Sequence, residues 1–211
     1  MTTVAATSSV LLSPVSWHTY ASLSQDLGEQ QKVQLIYDQG RLEIVMSPYL
    51  PPHEKYSNLL HGMVLILAEE FDLEIYSLGS TTLRRADLHR AVEPDRAYYI
   101  QHESLARGKQ EFDFKQFPPP DLVIEVDITS PSIDKLPLYQ ALGIPEIWRY
   151  DEKNFYLYQL APSGEYVLGR ESIAFQPLPL GDIVPQLLQQ SFSRGELAVL
   201  KAFRQWVKIN Q

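Results

Sequence analysis

The segment that most limits how this chain can fold is residues 121–128, where three acids stand among aliphatic and β-branched residues. The segment follows three consecutive prolines, and its apolar middle is typical of a buried strand. Residues two apart on a strand share a face, so Glu125 and Asp127 are expected on one side, roughly 6.5–7 Å apart.

Two interpretations of these acids remain open. Acids that face inward from a buried strand are costly unless they are paired, hydrogen-bonded or bound to a cation, and no Arg or Lys stands beside them. Their hard oxygen atoms suit Mg²⁺ or Mn²⁺. Alternatively, the apolar residues between them form the only buried face, and both acids point to water.

The remaining patterns predict a single α/β (α+β) domain over residues 14–211. A stripe of apolar residues over 53–71 predicts an amphipathic helix, and a capping box that starts at Ser193 precedes a second one at the C-terminus. Strands at 33–37 and 41–46 form an N-terminal hairpin, and residues 1–13 are expected to be a flexible tail. Further strands are predicted at 73–78, 81–84, 95–101, 146–150, 155–160 and 166–168, with short helices at 14–27 and 132–142. The expected architecture is a single domain with a mixed sheet.

Composition excludes several classes of protein. The 211 residues contain no cysteine, which excludes disulfide scaffolds, thiolate zinc sites and cysteine nucleophiles. The longest strongly apolar run, 63–68, is too short for a membrane span, and the start has no basic segment typical of a secretion signal, so a cytoplasmic protein without membrane contact is expected. The net charge of −8 argues against generic contacts with phosphate backbones, although a bound divalent metal would supply local positive charge.

Over residues 33–160 the chain resembles the PD-(D/E)xK nuclease superfamily. Within it, the chain is similar to the cyanobacteria-rich family described as "putative restriction endonuclease". The resemblance is carried by QLIYDQGRLEIVMSP followed by HE, then by EPDRAYYI, PPPDLVIEVDITSPS, LGIPEIWRYD and FYLYQL. It implies a restriction-endonuclease-like core, in which helices flank a mixed sheet. It also implies a metal-dependent phosphodiesterase site with Mg²⁺ or Mn²⁺ as cofactor.

The resemblance implies a set of metal ligands. Asp95 falls on the family's first-motif Asp and Glu125 on its second-motif acid, and the carbonyl of Val126 is a further ligand in such nucleases. A second Pro-Asp dipeptide competes for the first role. Its acid, Asp121, lies four residues before Glu125, roughly 13 Å along the strand, too far for one cation. Asp121 is therefore expected to start the strand or cap a turn.

The sequence departs from the superfamily pattern at Asp127, where the simple motif has Lys. A carboxylate cannot orient a water molecule as an ammonium group does, although it could bind the metal or act as a base. Lys135, expected at the start of the following helix, matches a lysine often found there in this family and could reach back to the site. The alternative is that Lys135 is an ordinary solvated lysine.

Four more residues complete the candidate site. Glu54 matches an acid on the preceding helix that often completes the metal site, and His53 beside it could contact phosphate or water. Either residue could equally be a plain N-terminal helix residue, where the helix dipole favours Glu. Arg84 and Arg85 belong to the densest basic cluster of the chain and are candidates for binding substrate phosphates.

The leading hypothesis is a metal-dependent endonuclease that hydrolyses phosphodiester bonds, with DNA as the expected substrate. Asp95 and Glu125 hold the metal, Lys135 orients the attacking water, and Asp127 or Glu54 completes the ligand set. The alternative is a non-catalytic binding protein that retains the nuclease fold, which the acidic charge and Asp127 favour. Hydrolysis of a smaller phosphodiester is a third candidate. A homodimer is also expected, because restriction-type nucleases often cut two strands with two subunits.

Overall fold

The structure, a computed structural model, describes residues 8–27, 33–46, 51–128, 133–175 and 178–211. The helices are α1 (Trp17–Leu27), α2 (Pro51–Glu70), α3 (Glu103–Ala106), α4 (Leu136–Leu142), α5 (Leu180–Arg194) and α6 (Glu196–Asn210). The strands are β1 (Ser8–Leu12), β2 (Val33–Asp38), β3 (Arg41–Met46), β4 (Tyr76–Gly79), β5 (Leu83–Arg85), β6 (Arg90–Val92), β7 (Arg96–Tyr99), β8 (Leu122–Val126), β9 (Glu146–Tyr150), β10 (Phe155–Leu160) and β11 (Tyr166–Gly169). They form two sheets flanked by helices, which confirms the predicted fold class.

The first sheet is antiparallel, with the strand order β1-β3-β2-β6-β5. It contains the predicted N-terminal hairpin, in which Leu35 of β2 lies opposite Ile44 of β3. The turn between them has positive φ at Gln39 (48°) and Gly40 (96°), a conformation that glycine adopts without steric cost.

The second sheet is mixed, with the strand order β11-β10-β9-β8-β7-β4. Strands β8 and β9 are parallel, and α4 lies in the connection between them. The described ladders beside this pair are antiparallel. Two parallel strands require a crossover connection. The short helix α4 lies in this crossover and is therefore placed beside the sheet, next to β8.

Strand β8 is buried on both faces, which settles where its acids lie. Leu122, Ile124 and Val126 pack into one core with α2, α5 and α6, whereas Val123 packs into a second core with α4. Every residue of β8 is buried, including Glu125 at 3% exposure. The interpretation in which Glu125 points to water is therefore wrong.

Three expectations about the termini are corrected. Ser8–Leu12 form strand β1 on the edge of the first sheet, paired with β3, and are not part of a flexible tail; residues 1–7 lie outside the described part. Helix α6 begins at Glu196 with Gly195 as its N-cap, so Ser193 belongs to α5 and the capping box is wrong. Helix α5 was not predicted, because Pro185 interrupts its pattern.

Helix α2 packs closely against α6. A Cβ atom at Gly62 would lie 3.0 Å from a methyl carbon of Leu200, so glycine permits the contact between the two helices. No helix in the described ranges is long and apolar enough to cross a membrane.

Candidate active site

The candidate site lies where β8 ends and β7 begins. In the antiparallel β7–β8 ladder Arg96 lies opposite Ile124, and continuing this register by one residue sets Asp95 opposite Glu125. Ala97 and Val123 both pack into the second core, so the alternation of side chains puts Asp95 and Glu125 on that same face. Two acids 30 residues apart in sequence thus share one side of the sheet.

Glu125 has both carboxylate oxygens engaged. Its Oε2 accepts a hydrogen bond from Lys135 Nζ at 2.7 Å, and its Oε1 accepts one from the Tyr139 hydroxyl. Burial raises the pKa of Glu125 to about 7; the charge of Lys135 acts against this shift, and repulsion from Asp95 and Asp127 adds to it.

Lys135 and Tyr139 reach Glu125 because α4 presents them together. Lys135 is the N-cap residue of the helix, and Tyr139 lies one turn later on the same face. The Lys135 side chain is only 11% exposed, so it is not a solvated lysine. Burial alone would lower its pKa, but the charges of Glu125 and Asp95 more than offset burial and raise it. Residue 132, where this helix was predicted to begin, lies outside the described residues.

Asp95 is held by the strand next to it and by α2. Its Oδ2 accepts hydrogen bonds from the Val126 backbone N–H at 2.6 Å and from His53 Nε2 at 3.1 Å. Burial would raise the pKa of Asp95, but the His53 hydrogen bond and the charge of Lys135 lower it overall. Burial likewise disfavours charged His53, yet Asp95 and Glu54 raise its pKa to about 9, so the imidazole is protonated at neutral pH.

Asp127 has a partner that the sequence analysis did not anticipate. Its Oδ2 accepts a hydrogen bond from Arg149 Nε at 2.5 Å. Arg149 is on β9, beside Glu125 in the parallel β8–β9 register. No Arg or Lys adjoins these acids in the sequence, but in the fold Lys135 pairs with Glu125 and Arg149 with Asp127.

Asp121 caps a turn, as the spacing argument predicted. Its Oδ2 accepts the backbone N–H groups of Ile100 at 2.7 Å and His102 at 3.0 Å, and its Oδ1 lies 2.6 Å from His102 Nδ1. These bonds join the start of β8 to the turn that follows β7. Asp121 is thereby committed to the fold at the end of the strand opposite the candidate site.

The two arginines expected to bind substrate are not brought to the acids by any recorded contact. Arg85 pairs with Asp87 through two hydrogen bonds of 2.8 Å. Arg84 is close enough to Tyr20 to lower the pKa of that phenol, against burial. Tyr20 belongs to a third core on the far side of the first sheet, away from the Asp95 face. Glu54 is 43% exposed and contacts His53.

The donor chemistry fits a divalent ion at Asp95 and Glu125. Both groups supply hard oxygen atoms on one face, and their mutual repulsion contributes to the raised pKa of Glu125. Within the described ranges no group of three His, Asp or Glu side chains is arranged as a metal site. Mg²⁺ usually binds through only one or two carboxylates together with water and substrate phosphates, so two acids suffice.

Comparison with known proteins places the chain in a family. The profile of the Uma2 family, described as "Putative restriction endonuclease", matches residues 17–193 of the 211. The chain belongs to this family. A solved structure titled as "a putative nuclease belonging to DUF820" from Anabaena variabilis resembles this one with a TM-score of 0.50 and 13% identity, over 89% of this chain and 99% of that chain. At that identity the likeness shows the fold alone. Comparison with curated proteins finds no match.

In this Uma2-family chain, sequence reasoning missed two residues of the site. Tyr139 has a signal in the sequence, because it follows Lys135 by one helical turn and both can face the same strand. Arg149 has no such signal in the sequence, because only the parallel register of β8 and β9 brings it beside Glu125.

Proposed function

We propose that this chain is a Mg²⁺- or Mn²⁺-dependent endonuclease that hydrolyses phosphodiester bonds in DNA. The observation that supports it most is the pairing of Asp95 and Glu125 on one face of adjacent strands, with Lys135 Nζ 2.7 Å from Glu125. Family membership supports nuclease chemistry, and the nuclease fold of the neighbouring structure agrees with it.

Asp95 and Glu125 would hold the ion, with the Val126 carbonyl as a further ligand. When bound, a divalent ion supplies Lewis-acid polarisation of the scissile phosphate and a bound water of lowered pKa. Hydroxyl and ammonium donors fix the Glu125 carboxylate, and the Val126 N–H and His53 fix that of Asp95. Neither acid therefore has to reorganise when substrate arrives.

The basic groups of the site act on water and on the phosphate. The Lys135 ammonium orients the attacking water and stabilises negative charge that develops on the phosphate oxygens. Protonated His53, whose pKa is about 9, presents a second positive charge beside Asp95. These two cations offset the acidic net charge of −8 where an anionic substrate must approach.

The test is cleavage of supercoiled plasmid and of single-stranded DNA in Mn²⁺, in Mg²⁺ and in EDTA. Wild type is compared with Asp95→Asn and Glu125→Gln. Glu165→Gln is the matched control, because Glu165 is an exposed acid in the turn between β10 and β11. We expect metal-dependent cleavage by wild type and by the control, and loss in the two site variants. Cleavage that survives both site substitutions would overturn the proposal.

A non-catalytic binding protein is the rival function. It is favoured by one observation: both oxygens of Glu125 are already engaged by Lys135 and Tyr139. Titration calorimetry with Mn²⁺ separates the two functions. A heat of Mn²⁺ binding that is present in wild type and absent in Asp95→Asn supports the endonuclease. The absence of Mn²⁺ binding by wild type at millimolar concentration supports the non-catalytic binding protein.

We also propose that the endonuclease acts as a homodimer, because two active subunits can cut both strands of a duplex. The outer edge of β1 offers a surface for a second copy, since Val10, Leu11 and Leu12 are each more than 40% exposed on an edge strand. Light scattering on wild type and Leu11→Lys tests this, and a monomer at micromolar concentration contradicts it.

A further inference from the structure

The geometry points to Arg149 as the group of this site that binds a substrate phosphate, with Asp127 as its positioning residue. The inference rests on the proposed function and deepens it, because it explains why an acid stands where the superfamily motif has lysine. The substrate class it names is a nucleic acid strand with a phosphate next to the scissile one.

The placement of Arg149 follows from the sheet. Strands β8 and β9 are parallel, with Glu125 beside Arg149 and Val123 beside Ile147. Val123 and Ile147 both pack into the second core, so alternation puts Arg149 on the face that carries Glu125 and Asp95. Neighbouring strands lie about 4.8 Å apart, so the backbone of Arg149 lies next to that of Glu125 on this face.

Asp127 orients this guanidinium. Its Oδ2 accepts the Arg149 Nε–H bond at 2.5 Å, and the Asp127 backbone N–H is itself fixed by Tyr150 O at 2.8 Å. An arginine has five N–H donors in a planar fork. With Nε held by Asp127, the amino groups at the end of the fork keep a defined direction and can donate to a phosphate.

Exposure and charge distinguish Arg149 from a purely structural ion pair. Its side chain is 32% exposed, whereas that of Asp127 is 13% exposed, so the positive member of the pair is the one that faces solvent. The pair stands next to a phosphate-cleaving centre rather than in a separate part of the sheet. Arg85, by contrast, is paired with Asp87, and Arg84 lies near Tyr20, away from the Asp95 face.

The decisive experiment measures binding without cleavage. Anisotropy of a fluorescein-labelled single strand and of a labelled duplex is followed with the full chain in EDTA, so that the readout does not depend on activity. We expect Arg149→Ala to weaken binding at least about tenfold, the size expected for loss of hydrogen bonds to a charged group. The slope of log affinity against log salt should fall by about 1.

Two variants separate positioning from charge. Arg149→Lys keeps the charge but not the planar fork, and we expect an intermediate loss of affinity. Asp127→Asn keeps an acceptor for Nε and should change binding by less than about threefold, whereas Asp127→Ala should approach the loss seen in Arg149→Ala. In Mn²⁺ these losses should raise KM more than they lower kcat.

Arg41→Ala is the matched control, because Arg41 also pairs with an Asp, is 51% exposed and lies on the other sheet. Unchanged affinity in a folded Arg149→Ala or Arg149→Lys, equal losses in Arg41→Ala, or no binding by wild type would each overturn the inference. If cleavage depends on Glu125 but not on Arg149, only the inference about Arg149 is contradicted. If binding depends on Arg149 but no metal-dependent cleavage occurs, only the endonuclease proposal is contradicted.

Discussion

Two buried glutamates on neighbouring strands, Glu125 of β8 and Glu146 of β9, have opposite kinds of surroundings. Among the described residues, the groups that donate hydrogen bonds to Glu146 are all neutral: Trp148 Nε1, Ser172 Oγ and the backbone N–H groups of Ile173 and Ala174. Glu125 is surrounded by ionisable groups, with Lys135 and Tyr139 in contact and two further acids close by.

This difference indicates that buried acids have two different roles in this fold. The donors around Glu146 are fixed by the backbone and by packing, so that acid joins residues 172–174 to the sheet. The partners of Glu125 are ionisable and can change their charge. A buried acid with neutral, saturated partners therefore indicates a structural role, whereas one among charged groups indicates chemistry.

The largest expected contrast is in activity. Glu125→Gln should lower DNA cleavage at least about 100-fold, because it removes a carboxylate that holds the ion and fixes Lys135. Glu146→Gln should leave the rate per folded molecule within about threefold. Plasmid cleavage in Mn²⁺, normalised to the folded fraction from circular dichroism, measures both variants. Equal losses in the two variants would break the comparison.

The next contrast is in stability. Glu146→Ala should lower the free energy of unfolding by about 2–4 kcal/mol, because it leaves buried donors of Trp148 and Ser172 without an acceptor. Urea unfolding, followed by the fluorescence of buried Trp148, measures it. The matched variant Ser163→Ala, in an exposed turn, should change the free energy by less than about 0.5 kcal/mol. A change below 1 kcal/mol for Glu146→Ala would contradict a structural role.

The pH dependence of stability sharpens the same point. Burial raises the pKa of Glu146 above its usual 4.5, against the hydrogen bonds of Ser172 and Trp148. The folded state therefore holds that proton more tightly than the unfolded chain does. The stability that Glu146 contributes through this proton is complete below pH 4.5, and it is lost as the pH rises through the folded pKa. Relative to Glu146→Gln, wild type should therefore lose stability as the pH rises above 4.5.

Urea unfolding of both proteins at several pH values measures this difference. Glu125 is present in both proteins, so its own raised pKa cancels in the comparison. A difference that grows in favour of wild type as the pH rises would contradict the sign derived for Glu146.

The smallest effect concerns the helix that carries Lys135 and Tyr139. Gly143 ends α4 in the left-handed conformation, with φ of 76°, so Gly143→Ala should cost about 1 kcal/mol of stability. Cleavage should stay within about twofold, because the first turn of α4 carries the site residues. Gly108→Ala, at a positive φ of 78° in a turn away from the site, is the control and should cost a similar amount. A large loss of activity in Gly143→Ala alone would show that the whole helix, not only its first turn, positions Lys135.

Much of the local structure was predictable because it depends on short-range chemistry. Periodicity or a turn residue indicates each of three elements: the hairpin of β2 and β3, the amphipathic helix α2 and the buried strand β8. Helix α5 was not predictable in this way, since Pro185 and Gly181 weaken its pattern and packing in the first core stabilises it instead. Strand β1 is stabilised by pairing with β3, a contact between distant segments.

The amino-acid sequence alone determined which residues could do chemistry: an acid before one strand, two acids at the end of another, and a lysine one turn before a tyrosine. Those are properties of residue type and spacing. Only the tertiary structure decided which acid meets which base. The pairing of Lys135 with Glu125 requires a crossover helix to lie against β8, and that of Arg149 with Asp127 requires a parallel register with β9. The physical reason is that electrostatic partners are chosen by distance in space, which strand order and register set and which sequence separation does not.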